Sequence, residues 1–136
     1  MKLRLHHINF STQNVHRMDR FYQEILGLER VSDGLPFLEK QKGYSGEVAF
    51  VSDGKIQTHL AQKDLFAGQK TGQFINPLER GHIAYRTNDL SEFKLHLDRK
   101  GIKYSDWGET AVVGWKQIFF YDPDGNIIEV HEARED

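Results

Sequence analysis

Apolar residues recur along the chain in two rhythms, and both rhythms occur twice in the same order. Residues 5–10 and 81–85 have strand length and strand composition, and each carries a histidine: His7-Ile8-Asn9-Phe10 and His82-Ile83-Ala84-Tyr85. Helical spacing follows in each half. Val15, Met18, Phe21, Tyr22, Ile25 and Leu26 fall three and four apart with charged residues between them, which predicts a helix burying one stripe; Leu90, Phe93 and Leu97 predict its counterpart. Asp89, with Glu92 three residues on, is a capping-box start. Gly27 and Gly101 stand where a helix ends in a left-handed residue. Runs rich in Val, Ile, Phe and Tyr at 48–51, 56–60, 112–121 and 126–130 predict strands, with Asp53-Gly54 and Asp124-Gly125 as hairpin turns.

The landmarks stay in register when one half is laid on the other. An offset of 75 pairs His7 with His82, Ile8 with Ile83, Phe10 with Tyr85 and Thr12 with Thr87; one gap then brings Gly27 onto Gly101. This order predicts an internal duplication and an α+β fold. Two βαβββ modules would pair into an eight-stranded half-open barrel whose concave face is a cup. One domain over residues 1–136 is expected, with module 1 at about 1–62, a linker at about 63–80 and module 2 at about 81–136. The linker, with Gly68, Gly72 and Pro77, and the glycine-rich loop 32–46 are candidates to cover the cup.

Charge and cysteine content narrow the chemistry. With 18 basic and 20 acidic residues and no basic run, nucleic acid is not an expected partner. There are no cysteines, so disulfides, thiolate metal sites and cysteine nucleophiles are excluded, and a metal must be held by nitrogen and oxygen. No segment has the roughly 18 apolar residues of a membrane span, and the polar start 1–7 lacks a signal-peptide pattern, so a cytoplasmic protein is expected.

A lone strand histidine is more often packed or solvated than ligating. Here the duplication sets His7 and His82 at equivalent points beside the axis, and Glu129 in Ile127-Ile128-Glu129-Val130-His131 follows a turn that fixes its strand. Two histidines and a carboxylate suit a divalent ion (Fe, Mn, Ni, Co or Zn) and leave coordination positions open for substrate. Counting four residues from Gly125 reaches Glu129, and four from Gly54 reaches Thr58, a poor ligand, so a three-ligand site is expected; a single bulge would bring His59 in as a fourth. By alternation Asn9 and Thr58 face the cup as substrate contacts, and Trp115 and Phe119 supply walls. His131 shares the face of Glu129, either behind it or against substrate, and His6 points away from His7.

His7-Ile8-Asn9-Phe10, Phe21-Tyr22 with Leu26-Gly27-Leu28, His82-Ile83-Ala84, and Asp122-Pro123-Asp124-Gly125-Asn126 leading to Glu129 together resemble the vicinal oxygen chelate superfamily of glyoxalases, bleomycin resistance proteins and dioxygenases. The resemblance implies metal ligands at His7, His82, Glu129 and a fourth position within 57–59, and a homodimer acting on a small molecule. It implies a lyase or isomerase of glyoxalase type, with Glu129 or a bound water moving the proton. The alternatives are an extradiol-like or non-ring dioxygenase, a fosfomycin-resistance-like transferase, or a metal-free antibiotic-binding protein. Phe119 stands where the dioxygenase and fosfomycin patterns have Tyr, 110–114 lacks a dioxygenase-type His, and Thr58 stands where glyoxalase I has Glu.

Overall fold

The computed structural model describes residues 2–31 and 44–134. Most of the expected loop 32–46 lies outside the described residues; Tyr44, Ser45 and Gly46 lie within them. In chain order the elements are β1 (Arg4–Thr12), α1 (Val15–Glu24), β2 (Glu29–Arg30), β3 (Val48–Ser52), β4 (Gln57–Gln62), α2 (Ala67–Thr71), β5 (His82–Arg86), α3 (Leu90–Arg99), β6 (Ser105–Gly108), β7 (Trp115–Tyr121) and β8 (Ile127–Ala133). The α+β order strand, helix, three strands therefore occurs twice.

The strands form one eight-stranded sheet in the order β2-β3-β4-β1-β5-β8-β7-β6. Its two halves join along antiparallel β1 and β5, and each of these first strands pairs in parallel with the last strand of its own half, β1 with β4 and β5 with β8. All four strands at the seam thus begin or end a module. The side chains at the centre of the sheet come from equivalent positions of the two halves.

Helix α3 covers the second half as its pattern requires. Leu90, Phe93 and Leu97 pack on Ile118, Phe120 and Val130, and burying each such side chain contributes about 1.5–3 kcal/mol. The Asp89 carboxylate accepts from Glu92 N at 3.0 Å and caps the helix. Gly101 ends it at φ 70°.

Helix α1 departs from the single buried stripe. Only Val15, Met18 and Tyr22 join the cluster with Ala49 and Leu60, whereas Phe21 is 50% exposed and Ile25 67%. The cause is placement: α1 lies over β3 and β4, so the face centred on Val15, Met18 and Tyr22 meets the sheet. Phe21 and Ile25 are four apart on a neighbouring face that the sheet does not reach. Asp19 is instead drawn under the helix edge, where Arg30 and Gln23 donate to its carboxylate, each at 2.7 Å.

The segment expected as a linker contributes to the core. Ala67, Ile75 and Leu78 are buried with Tyr44, Ala61, Trp107, Phe119 and Ile127, and α2 within it is a short helix that its glycines did not suggest. Among the described residues no helix is long and apolar enough to cross a membrane.

Candidate metal centre

Parallel pairing decides which residues of the two modules correspond. Asn9 lies opposite His59 on β1 and β4, and Ala84 lies opposite Glu129 on β5 and β8. Since Asn9 and Ala84 are related by the same offset of 75 as His7 and His82, the counterpart of Glu129 is His59, not Thr58. The turns explain the difference. Ser52 pairs with Gln57 across four intervening residues, with Gly54 second among them; Tyr121 pairs with Ile127 across five, with Gly125 fourth. Counting from glycine therefore misaligns the strands by one residue. No bulge is needed to bring His59 inward, and Thr58 turns to the α1 side, with Leu60, away from the cavity.

The cavity on the concave face has a volume of about 70 Å³. His7, His59, His82, Glu129, Asn9, Trp115 and Phe119 line it, together with Tyr44 and Gln117, and the former linker supplies Pro77 and Leu78 to its wall. Thr58 and His131 are not among the lining residues.

Glu129, 1% exposed, is the hub. Its Oε1 lies 3.0 Å from His82 Nε2 and 3.6 Å from His7 Nε2, and its Oε2 accepts from His131 Nδ1 at 2.7 Å. Arg86 Nε donates to His131 Nε2 at 3.0 Å. Because a guanidinium can only donate, His131 must carry its proton on Nδ1 and give it to the carboxylate. His131 is therefore a buried support behind Glu129, stacked on Trp115 with ring centroids 4.3 Å apart and planes 10° apart.

His82 is oriented by the backbone. Its Nδ1 donates to Pro77 O at 3.1 Å, so a ring carrying that one proton turns a bare Nε2 toward Glu129 Oε1. Two acceptors 3.0 Å apart repel unless a cation lies between them. A proton or a metal ion must occupy that position, and a ligating histidine whose other nitrogen donates to a carbonyl is the usual metal-site arrangement.

His59 stacks on His7 with centroids 3.7 Å apart, and its Nε2 donates to Gln57 Oε1 at 2.7 Å, leaving Nδ1 free. His6 is a residue that alternation assigned to the wrong side. Leu5 pairs with Tyr85 and His7 with Ala84, so one extra residue of β1, His6, sits in a bulge. Its Nδ1 comes to 2.8 Å from His7 Nδ1, and its ring meets His59, Trp115 and His131 edge-on. Nothing in the local sequence marks that bulge beyond the His6-His7 doublet itself.

Electrostatics prepare these groups to bind a cation. Burial pushes His7 and His59 below the ordinary histidine value, His59 strongly, and pushes His6 down to about 3, with Arg86 adding to the effect on His6. These rings keep their lone pairs at neutral pH. Burial opposes ionisation of Glu129, but the neighbouring histidines outweigh it, His7 foremost and with it the hydrogen bond from His131 Nδ1, and hold the carboxyl well below its usual range. Among the described residues its ion-pair partners are three histidines and no lysine or arginine. Ligand atoms of His7, Glu129 and His131 lie within 4.8 Å of one another, as do those of His6, His7 and His59. A buried carboxylate beside histidine nitrogens such as these fits a divalent ion.

This fold and centre place the chain in a defined class: it belongs to the glyoxalase/bleomycin resistance protein/dioxygenase superfamily, whose family model matches residues 4–130. Glyoxylase I 4 of Arabidopsis thaliana is 28% identical over 129 residues, covering 93% of this chain and 68% of that protein. Among solved structures, a hypothetical protein from Bacillus halodurans aligns with a TM-score of 0.73 at 19% identity, over 100% of this chain and 98% of the other. Methylmalonyl-CoA epimerase from Mycobacterium tuberculosis aligns with a TM-score of 0.70 at 18% identity, over 96% and 88% of the two chains.

Proposed function

We propose that the protein is a divalent-metal-dependent enzyme, a lyase or isomerase of glyoxalase type, acting on a small molecule with neighbouring oxygens. One observation carries this reading: His82, fixed by Pro77 O, directs a lone pair at the buried Glu129 carboxylate, a contact that needs a cation. The holding residues would be His7, His82, Glu129 and His59, two pairs related by the internal duplication. A bound divalent ion supplies Lewis acidity that stabilises an enolate or oxyanion on the substrate.

The chain's own residues do the rest. Glu129 is the only carboxylate among the described lining residues, so it is the group placed to take and return a proton. Hydrogen-bonded His131 keeps its Oε2 occupied, which leaves Oε1 for the cavity side. Trp115 and Phe119 give the pocket apolar wall. Superfamily membership supports the enzyme reading, as do structural neighbours named as epimerases.

The test is metal content. Purified protein, stripped and then offered Ni, Mn, Fe or Zn, should hold about one ion per chain by mass spectrometry, and His7→Ala or Glu129→Ala should lose it. Protein that remains metal-free under all four conditions would mean that His82 carries a proton, and would leave a metal-free binding protein as the better reading.

A homodimer is part of the same proposal. It is supported by Ile8, Phe10, Phe21, Ile25 and Leu26, which are exposed apolar residues on β1 and along α1 and its end.

A further inference from the structure

Two buried polar atoms among the described residues have no hydrogen-bond partner, Asn9 Nδ2 and Gln117 Oε1. Both residues are 5% exposed, and both line the cavity that holds the candidate metal ligands. Burying an amide without a partner is costly, and native proteins rarely tolerate it without a use. Two other polar groups of the wall are already engaged. The Tyr44 hydroxyl donates to Gln62 O at 2.6 Å, and His59 Nε2 is held by Gln57. Elsewhere the wall is apolar, with Val48, Phe50, Ala61, Leu78, Val112 and Phe119, and no lysine or arginine lines it among the described residues.

We propose that Asn9 and Gln117 form an amide pair that reads the oxygenated head of an apolar-bodied substrate, one hydrogen-bond donor beside one acceptor, bearing no phosphate. This rests on the enzyme reading above and names its substrate class. Each amide offers a donor and an acceptor, so between them the two can serve both the hydroxyl and the carbonyl of such a head. A phosphate beyond the head would meet a wall that has no lysine or arginine among its described residues, whereas an aryl or alkyl body fits the apolar remainder.

Three probes separate these features: 2-hydroxyacetophenone, with donor beside acceptor on an apolar body; acetophenone, lacking the hydroxyl; and dihydroxyacetone phosphate, with the head but a phosphate in place of the body. Dissociation constants are measured by calorimetry for nickel-loaded and metal-free protein, with metal content assayed in each sample. The hydroxyketone should bind about tenfold more tightly than the ketone, and the phosphate ester should bind weakest. Asn9→Leu and Gln117→Met should each abolish the preference for the hydroxyl without changing metal content.

Equal affinity for the two ketones in wild-type protein, a preference that survives both variants, or tightest binding of the phosphate ester would overturn the proposal. The wild-type comparison stands even if a variant does not fold. Protein that never takes up metal but still prefers the hydroxyketone retires the metal reading and keeps the amide pair. Protein that holds metal and shows no preference does the reverse.

Discussion

At positions related by the internal duplication, the two modules present the same backbone and different chemistry in and around the cavity. His7 matches His82, and Phe50 opposite His59 matches Phe119 opposite Glu129. Where the second module has Glu129, His131 and Gln117, the first has His59, Ala61 and Val48; where the first has Asn9, the second has Ala84. The shared positions bring the groups to one point. The unshared ones put the negative charge, and the Arg86–His131 chain that orients it, entirely in the second module, and set the two unpaired amides on opposite modules.

The largest effect should come from removing Glu129, as against its counterpart His59. Glu129→Ala removes the charge and leaves His82 and His131 facing an empty position, so metal affinity should fall on the order of a hundredfold or more. His59→Ala removes a neutral donor and should cost less. Equilibrium dialysis against a chelator buffer measures both, and equal losses would mean that the modules contribute equivalently after all.

Next in size is the supporting chain. His131→Ala should weaken metal binding by roughly 10–100-fold although it leaves the proposed ligands intact, and His131→Gln should recover part of the loss by donating to Oε2. The matching position Ala61 has no such duty. If His131→Ala unfolds the chain without altering the affinity of the remaining folded fraction, its role is packing alone.

The comparison also explains which parts of the architecture were legible in the sequence. The duplication, both helices, the α3 cap at Asp89 and the convergence of His7, His82 and Glu129 follow from periodicity and spacing, because each is a local pattern repeated in register. Expectation and structure part where a count crosses a turn or a bulge. Thr58 replaced His59 because the glycines sit at different places in two turns of different length. His6 turns inward against strict alternation, which presumes an unbroken ladder, because β1 carries an extra residue there. The buried stripe of α1 is narrower than its apolar spacing predicts, because six apolar residues do not reveal which face the sheet takes.

Acidification tests the buried histidines of the first module. His6, His7 and His59 have native values below that of an unfolded histidine, so between about pH 6.5 and their native values the unfolded chain binds more protons and stability falls as pH falls. Glu129 acts in the same direction at lower pH, since its native value is below the unfolded one and its contribution is lost as pH drops through it. The urea midpoint of metal-free protein should therefore decline steadily from pH 7 to pH 4. A flat profile would mean that these rings are not held neutral.

The smallest effect on stability, and the sharpest contrast between modules, concerns the two helices. Leu97, buried under α3, should cost about 2–5 kcal/mol when changed to Ala. Ile25, just beyond α1 and two-thirds exposed, should shift stability by no more than about 0.5 kcal/mol when changed to Glu. Yet the same Ile25→Glu change places a charge among Phe21, Phe10 and Leu26, the apolar surface that the proposed homodimer would cover. Light scattering should then report a monomer where wild-type protein is dimeric, with the urea midpoint of the monomer nearly unchanged. A variant that remains dimeric would move the interface elsewhere, and the uncovered face of α1 would then be an incidental result of where the helix sits on β3 and β4.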